Sequence, residues 1–282
     1  MDYGISTHLF HGQRLGPEHL REIAAHGFRR VEVFATRTHF DFHDDRAIAG
    51  LGEALAAAGL SLHSMHAPIV EGVTGGRWGA VLSLASGDPA RREHAIRETE
   101  AAIEVARTLP FEYLVVHLGV AADLLPAAGP NSRDAALSSL ERLAESADRV
   151  GVRLAVELIP NEISQAQTLV ELIEDDLELP DVGICLDFGH AHLAGDLLDA
   201  IETMSGLIVT THVHDNRGTG DDHLVPFEGA IDWAAALTGL QKVGYEGTLL
   251  FEIADYEPPG ALLERAAEAQ RRLDGILSGG FE

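Results

Sequence analysis

Short apolar, β-branched runs alternate along the chain with longer stretches in which apolar residues recur every three or four positions. The first pattern predicts buried strands and the second amphipathic helices. Strands are expected at Tyr3–Thr7, Val31–Phe34, Ser61–His66, Tyr113–Gly119, Leu154–Glu157, Gly183–Asp187, from Leu207 into His212-Val213-His214-Asp215, and at Thr248–Glu252. Helices are expected at Pro17–Ala25, Asp45–Ala58 before a Gly59 stop, from Asp88-Pro89 to about Arg107, Ala166–Glu174, Asp196–Met204, Ile231–Val243 and Ala261–Leu277. One more helix carries the stripe Leu137, Leu140, Leu143, Ala147 and Val150, its start capped by Asn131 or Ser132. The glycine-rich stretch from Gly72 to Gly87 reads as a loop containing Trp78 and no phosphate-binding motif.

Eight buried strands separated by eight helices predict an α/β fold with a parallel sheet, and eight units close into a (β/α)8 TIM barrel. The whole chain, residues 1–282, then forms a single domain. An open doubly wound sheet is the competing architecture, but no glycine-rich dinucleotide turn follows the first strand. A barrel gathers the C-terminal ends of its strands at one mouth, where barrel active sites lie. His66, His117, Glu157, Asp187, His212 and Glu252 all end strands, while His190, His214, Asp221 and His223 lie in the loops just beyond. Alternation along the seventh strand turns His212 and His214 to one face. So many imidazoles and carboxylates converging would be costly without a cation to neutralise them.

Other residues carry weaker expectations. His63, three before His66, should face away from the mouth; His8, His39 and His43 belong to its rim or to solvent; Glu32 on the second strand is an orienting or a structural acid. Cys185 shares a face with Asp187 but has no base beside it, so a buried inert thiol is expected.

Charge and composition narrow the function classes. Asp and Glu outnumber Lys and Arg by 45 to 20 in 282 residues, a net charge of −25, which repels nucleic-acid backbones and anionic membrane faces. The densest basic pairs, Arg29-Arg30 and Arg91-Arg92, are too small to track a duplex. No stretch approaches the roughly 20 apolar residues of a membrane span, and the first residues, MDYGISTHLF, lack a signal pattern, so a cytoplasmic protein is expected. With Cys185 as the single cysteine, a metal must be held by His, Asp and Glu.

The motifs His66-Ala67-Pro68, Val116-His117-Leu118-Gly119, Val156-Glu157, Leu186-Asp187-Phe188-Gly189-His190, His212-Val213-His214-Asp215-Asn216, Asp221-Asp222-His223 with Pro226-Phe227-Glu228-Gly229, and Phe251-Glu252 occur in that order. In order and spacing the chain resembles the xylose-isomerase-like barrel superfamily, which groups sugar and sugar phosphate isomerases and epimerases with endonuclease IV. The resemblance runs from the first strand to the last helix. In the epimerase branch it implies one divalent metal, of the Mn, Zn, Mg or Co kind, held by residues matching Glu157, Asp187, His212 and Glu252. In the endonuclease branch it implies three zinc ions and adds His66, His117, His190, Asp221 and His223, each of which this chain presents. The ligand set leaves one metal and three both open. Strong acidity and the lack of basic DNA-binding loops set the chain apart from the endonuclease pattern.

The resemblance thus implies an isomerase or epimerase of a small sugar, keto sugar or polyol, phosphorylated or not, working through an enediolate. Glu157 and Glu252 would transfer the proton, and His190 and Arg217 would position substrate oxygens. A sugar dehydratase or lyase shares the enediolate; a trinuclear zinc phosphoesterase and a non-catalytic sugar-binding barrel are the alternatives. The expected partner is a small molecule, not nucleic acid or membrane, and a homo-oligomer is left open.

Overall fold

A computed structural model describes residues 1–121, 129–176 and 181–279. Eight parallel strands close into a barrel: β1 (Asp2–Ser6), β2 (Arg30–Phe34), β3 (Ser61–His66), β6 (Tyr113–Val116), β7 (Arg153–Glu157), β8 (Val182–Asp187), β9 (Ile208–Val213) and β10 (Thr248–Phe251). β10 pairs with β1 at Tyr3 and Leu249, which completes the ring and rules out the open sheet. The outer helices are α1 (Pro17–Ala25), α2 (Asp45–Ala58), α3 (Pro89–Glu104), α4 (Arg133–Asp148), α5 (Ala166–Glu171), α6 (Phe188–Ala194), α7 (Leu197–Thr203), α8 (Trp233–Lys242) and α9 (Pro259–Leu277). No described helix is long and apolar enough to cross a membrane.

Local chemistry explains the boundaries. Asp44, Asp88, Ser132 and Asp196 each accept a backbone N–H from the first turn of α2, α3, α4 and α7. Gly59 closes α2 with φ 67°, where a side chain would be strained. Ser132 takes the cap of α4, while Asn131 bonds both backbone groups of Val120 and so holds the loop after β6. β6 and β10 stop one residue before His117 and Glu252. The helix expected from Ala166 leaves α geometry at Glu171 and passes into a π-helical turn, Leu172–Asp176, that keeps Leu172 and Ile173 buried.

Three features depart from the expected pattern. α6 follows β8 with no loop, because Asp187 caps it directly through the His190 N–H at 2.6 Å. Within the glycine-rich loop, β4 (Val73–Thr74) and β5 (Arg77–Trp78) form a short antiparallel hairpin. Between β2 and β3 the register slips, Val31 pairing with Leu62 and Glu32 with Ser64, so His63 is the extra residue of a β-bulge. The bulge turns His63 into the barrel, but toward the strand starts and away from the mouth, as expected: it is buried, with Nε2 3.4 Å from Thr210 Oγ1 on β9 and Nδ1 3.6 Å from Glu112.

The main apolar core lies between the strands and the helices. Inside the barrel a small plug of Val115, Ala155 and Cys185 closes the middle, and above it the interior turns polar.

Candidate metal centre

Strand register delivers the polar floor of the mouth. Asp187 pairs with His212 across β8 and β9, and Glu157 and His66 are the last residues of β7 and β3. Glu32, Glu157, Asp187, His212 and Glu252 are all essentially buried. His212 Nδ1 stands 3.2 Å from Glu157 Oε1, 3.3 Å from Glu252 Oε2 and 3.9 Å from Asp187 Oδ2, while Nε2 donates to Glu32 Oε2 at 3.3 Å. Glu32 also accepts from Ser64 Oγ at 2.8 Å. The bulge at His63 is what brings Ser64 level with Glu32.

Three groups of side chains offer ligand atoms that lie within 4.8 Å of one another: Glu157, Asp187, His212 and Glu252; His66, His117 and Glu157; and His190, His214, Asp221 and His223. Glu157 joins the first two, its Oε2 accepting from or facing His117 Nε2 at 2.9 Å and His66 Nε2 at 3.1 Å. Asp187 joins the first to the third, with His214 Nε2 3.0 Å from Oδ1. The third closes through Asp221 Oδ2, 3.1 Å from His190 Nε2 and 3.2 Å from His223 Nε2.

One motif recurs. His66, His190 and His223 each give Nδ1–H to a backbone carbonyl, of Ala67 at 2.8 Å, Leu158 at 3.0 Å and Glu252 at 3.1 Å. That bond assigns the tautomer and leaves Nε2 aimed at a carboxylate. His212 does the same with its ring reversed, Glu32 taking Nε2–H. A lone pair facing a carboxylate is repulsive unless a proton or a cation stands between them. Without a cation the proton stands there: burial pushes these rings down, but the facing carboxylates outweigh it, raising His66, His190 and His212 and bringing His223 up to about 9. Burial likewise opposes ionisation of Glu157, yet His212 and His117 hold it well below the usual carboxylate range. Glu157 Oε1, His212 Nδ1 and His214 Nδ1 are buried with no hydrogen-bond partner. Anionic oxygens and neutral imidazole nitrogens at this spacing fit a divalent ion.

The loop after β9 is built by Asp215, which takes no part in the ligand groups. Its carboxylate accepts from the N–H groups of Asn216, Phe227 and Ile231 and from Trp233 Nε1, at 2.9 to 3.1 Å. Asp215 and Leu224 exchange backbone bonds, closing a turn that returns Asp221 and His223 to the mouth. Gly189 is required where α6 meets this loop, since a Cβ there would lie 2.0 Å from the His214 ring.

Among the other sequence expectations, Arg217 is not brought to the cluster: its side chain is 63% exposed and pairs with Asp222 at 3.4 Å. His39 is buried between Gln13 O and Thr7 Oγ1, and His43 pairs with Glu98 outside the mouth. Burial pushes the Cys185 thiol up, as expected of an inert group. Two contributors escaped the sequence reading: His11, beside His8 in the cavity wall, and Phe34, stacked on His66 at 4.1 Å. His11 lies past β1 beyond the 3-10 turn Thr7–Phe10, so a rule that looks at strand ends misses it, and burial pushes it down to about 3.

The model of the xylose isomerase-like TIM barrel family matches residues 20–273. The chain belongs to that family. Relatives in sequence include an uncharacterised protein of Methanocaldococcus jannaschii, 28% identical over 89% of this chain and 83% of the relative. An inosose isomerase of Bacillus subtilis is 24% identical over 62% of this chain and 65% of its own length, just under two thirds. Among solved structures, a D-tagatose 3-epimerase-like protein superposes with TM-score 0.80 at 25% identity, covering 99% of this chain and 98% of that one.

Proposed function

We propose that the chain is a divalent-metal-dependent isomerase or epimerase of a small keto sugar or keto-cyclitol, working through an enediolate of the substrate. The observation that carries this reading is that Glu157 and Glu252 line one cavity of about 370 Å³ and meet at His212 Nδ1. The relatives named as inosose isomerase and 3-epimerase-like protein support it. Glu157, Asp187, His212 and Glu252 would hold the cation, which supplies Lewis-acid polarisation of a carbonyl and its neighbouring hydroxyl. Glu157 removes the proton from the carbon beside the carbonyl, and Glu252 returns one to the opposite face or the neighbouring carbon, or the reverse. Buried in the floor, both carboxylates act where little water competes. Glu32 and Ser64 keep His212 in one tautomer throughout.

The test replaces each glutamate by Gln, which keeps the shape and an oxygen but not the base. Turnover and deuterium uptake from heavy water should fall by roughly 10²-fold or more in either variant, with metal binding weakened less. Near-normal exchange in both would defeat the mechanism.

The assembled second and third ligand groups favour one alternative, a trinuclear phosphoesterase. Metal analysis by mass spectrometry separates the two. One metal per chain supports the isomerase; three, with phosphodiester cleavage as the detectable activity, supports the other.

A further inference from the structure

The floor of the mouth is ionic, but its wall is not. Phe34, Ile69, Trp78, Leu82, Val120 and Ile159 face the same cavity as Glu157, Glu252 and His190. Trp78 is 50% exposed, the highest of the large apolar side chains among the described residues. It is presented there by structure: the hairpin base is tied by Glu71 N–H to Ala80 O and Gly79 N–H to Gly72 O, and Val73 N–H donates to Thr38 Oγ1 at 2.8 Å. A tryptophan held in water at the rim of a reaction cavity is a ready surface for the C–H face or apolar substituent of a ligand.

The same cavity offers a phosphate no permanently cationic side chain of its own. No lysine or arginine lines it among the described residues, and residues 122–128, which follow Ala121 of its wall in sequence, contain none. Arg77 adjoins Trp78, but alternation along β5 sends neighbouring side chains to opposite faces. Arg217 is paired with Asp222. Beyond the seventh and eighth barrel strands, where barrels often bind phosphate, this chain places Asp221, His223 and Glu252.

We infer that the mouth selects an uncharged polyol or keto sugar that rests an apolar face or substituent on Trp78, and rejects the phosphorylated counterpart. For the reaction, though not for binding, this rests on the function proposed above.

The test uses the full chain in its as-purified metal state. Tryptophan emission is followed while D-fructose, D-tagatose, 2-keto-myo-inositol or D-fructose 6-phosphate is added to about 10 mM, above the usual KM range. Trp233 is buried and bonded to Asp215, so it serves as an internal reference. At least one free sugar should shift the emission, the shift should vanish in Trp78→Phe, and the 6-phosphate should bind at least about tenfold more weakly than D-fructose. For a sugar that exchanges deuterium, Trp78→Ala should raise KM about tenfold and leave kcat within about threefold. The inference is overturned if no free sugar moves the signal, if Trp78→Phe retains the shift, or if the 6-phosphate binds as well as D-fructose. Free sugars that bind through Trp78 without exchanging deuterium would uphold this selectivity and sink the proposed reaction; preferred exchange of the 6-phosphate would do the reverse.

Discussion

Replacing Glu32 by Gln perturbs the proposed metal centre without replacing any of its proposed ligands. Glu32 is fully buried and holds two groups, Ser64 Oγ and His212 Nε2–H. A Gln can place its carbonyl oxygen against Nε2–H, keeping the tautomer but losing the charge that makes the ring a stronger base. Alternatively its NH2 faces Nε2, which forces the proton onto Nδ1, the atom aimed at Glu157, Asp187 and Glu252. Both outcomes weaken ligation. Loss of a carboxylate behind a metal-binding histidine costs about 10- to 100-fold in affinity, or about 1.4 to 2.7 kcal/mol. Competition with a chromophoric chelator at neutral pH measures this directly. Glu53→Gln, on the exposed face of α2, removes the same charge from the surface and should change little. Equal affinity in Glu32→Gln and wild type, or an equal drop in Glu53→Gln, would refute the argument.

Two further predictions concern the scaffold. Asp215→Ala orphans three backbone N–H groups and the Trp233 indole in a buried loop, and should lower stability by roughly 3 to 5 kcal/mol in urea unfolding; a loss below about 1 kcal/mol would contradict the role given to Asp215. Gly189→Ala drives a methyl into the His214 ring and should destabilise by about 1 to 3 kcal/mol, whereas Gly50→Ala, with open space at an exposed site in α2, should stabilise by about 0.5 to 1 kcal/mol; thermal unfolding that ranks the two alike would falsify the packing argument.

Much of this architecture was legible in the chain because its signals are local. The cap at Asp88 sits beside the helix it starts, and the strand-end residues His66, Glu157 and Asp187 follow apolar runs that mark their strands. The count of eight units favoured closure and convergence of these ends over an open sheet, and the pairing of β10 with β1 decided it. What was hidden depends on partners remote in sequence or on a boundary that no turn residue marks. Glu32 meets His212 across 180 positions, so its role as the acceptor that fixes the tautomer could only be guessed. α6 begins directly on the strand-end Asp187 with no turn residue to mark its start, so His190 read as part of a loop. The His63 bulge depends on the pairing register of two strands, which no single-strand pattern encodes. Arg217 looked well placed by sequence proximity to His214, but Asp222, on the returning arm of the same loop, draws it outward.

Glu157 spends its two oxygens on different neighbours, Oε1 toward His212 and Oε2 toward His66 and His117, whereas Asp187 sets both oxygens against His214 Nε2, at 3.0 and 3.1 Å, with Oδ2 3.9 Å from His212. Glu157, common to the first two groups, and Asp187, bonded to His214 of the third, would link the three groups thermodynamically if each held an ion. An ion in one of them fixes the orientation of a carboxylate that its neighbour must also use, so the affinity of each depends on the occupancy of the next, and the dependence is reciprocal. Metal titrations of this chain that reach more than one equivalent should therefore deviate from independent, identical binding, and Glu157 is the side chain through which most of that cross-talk would pass.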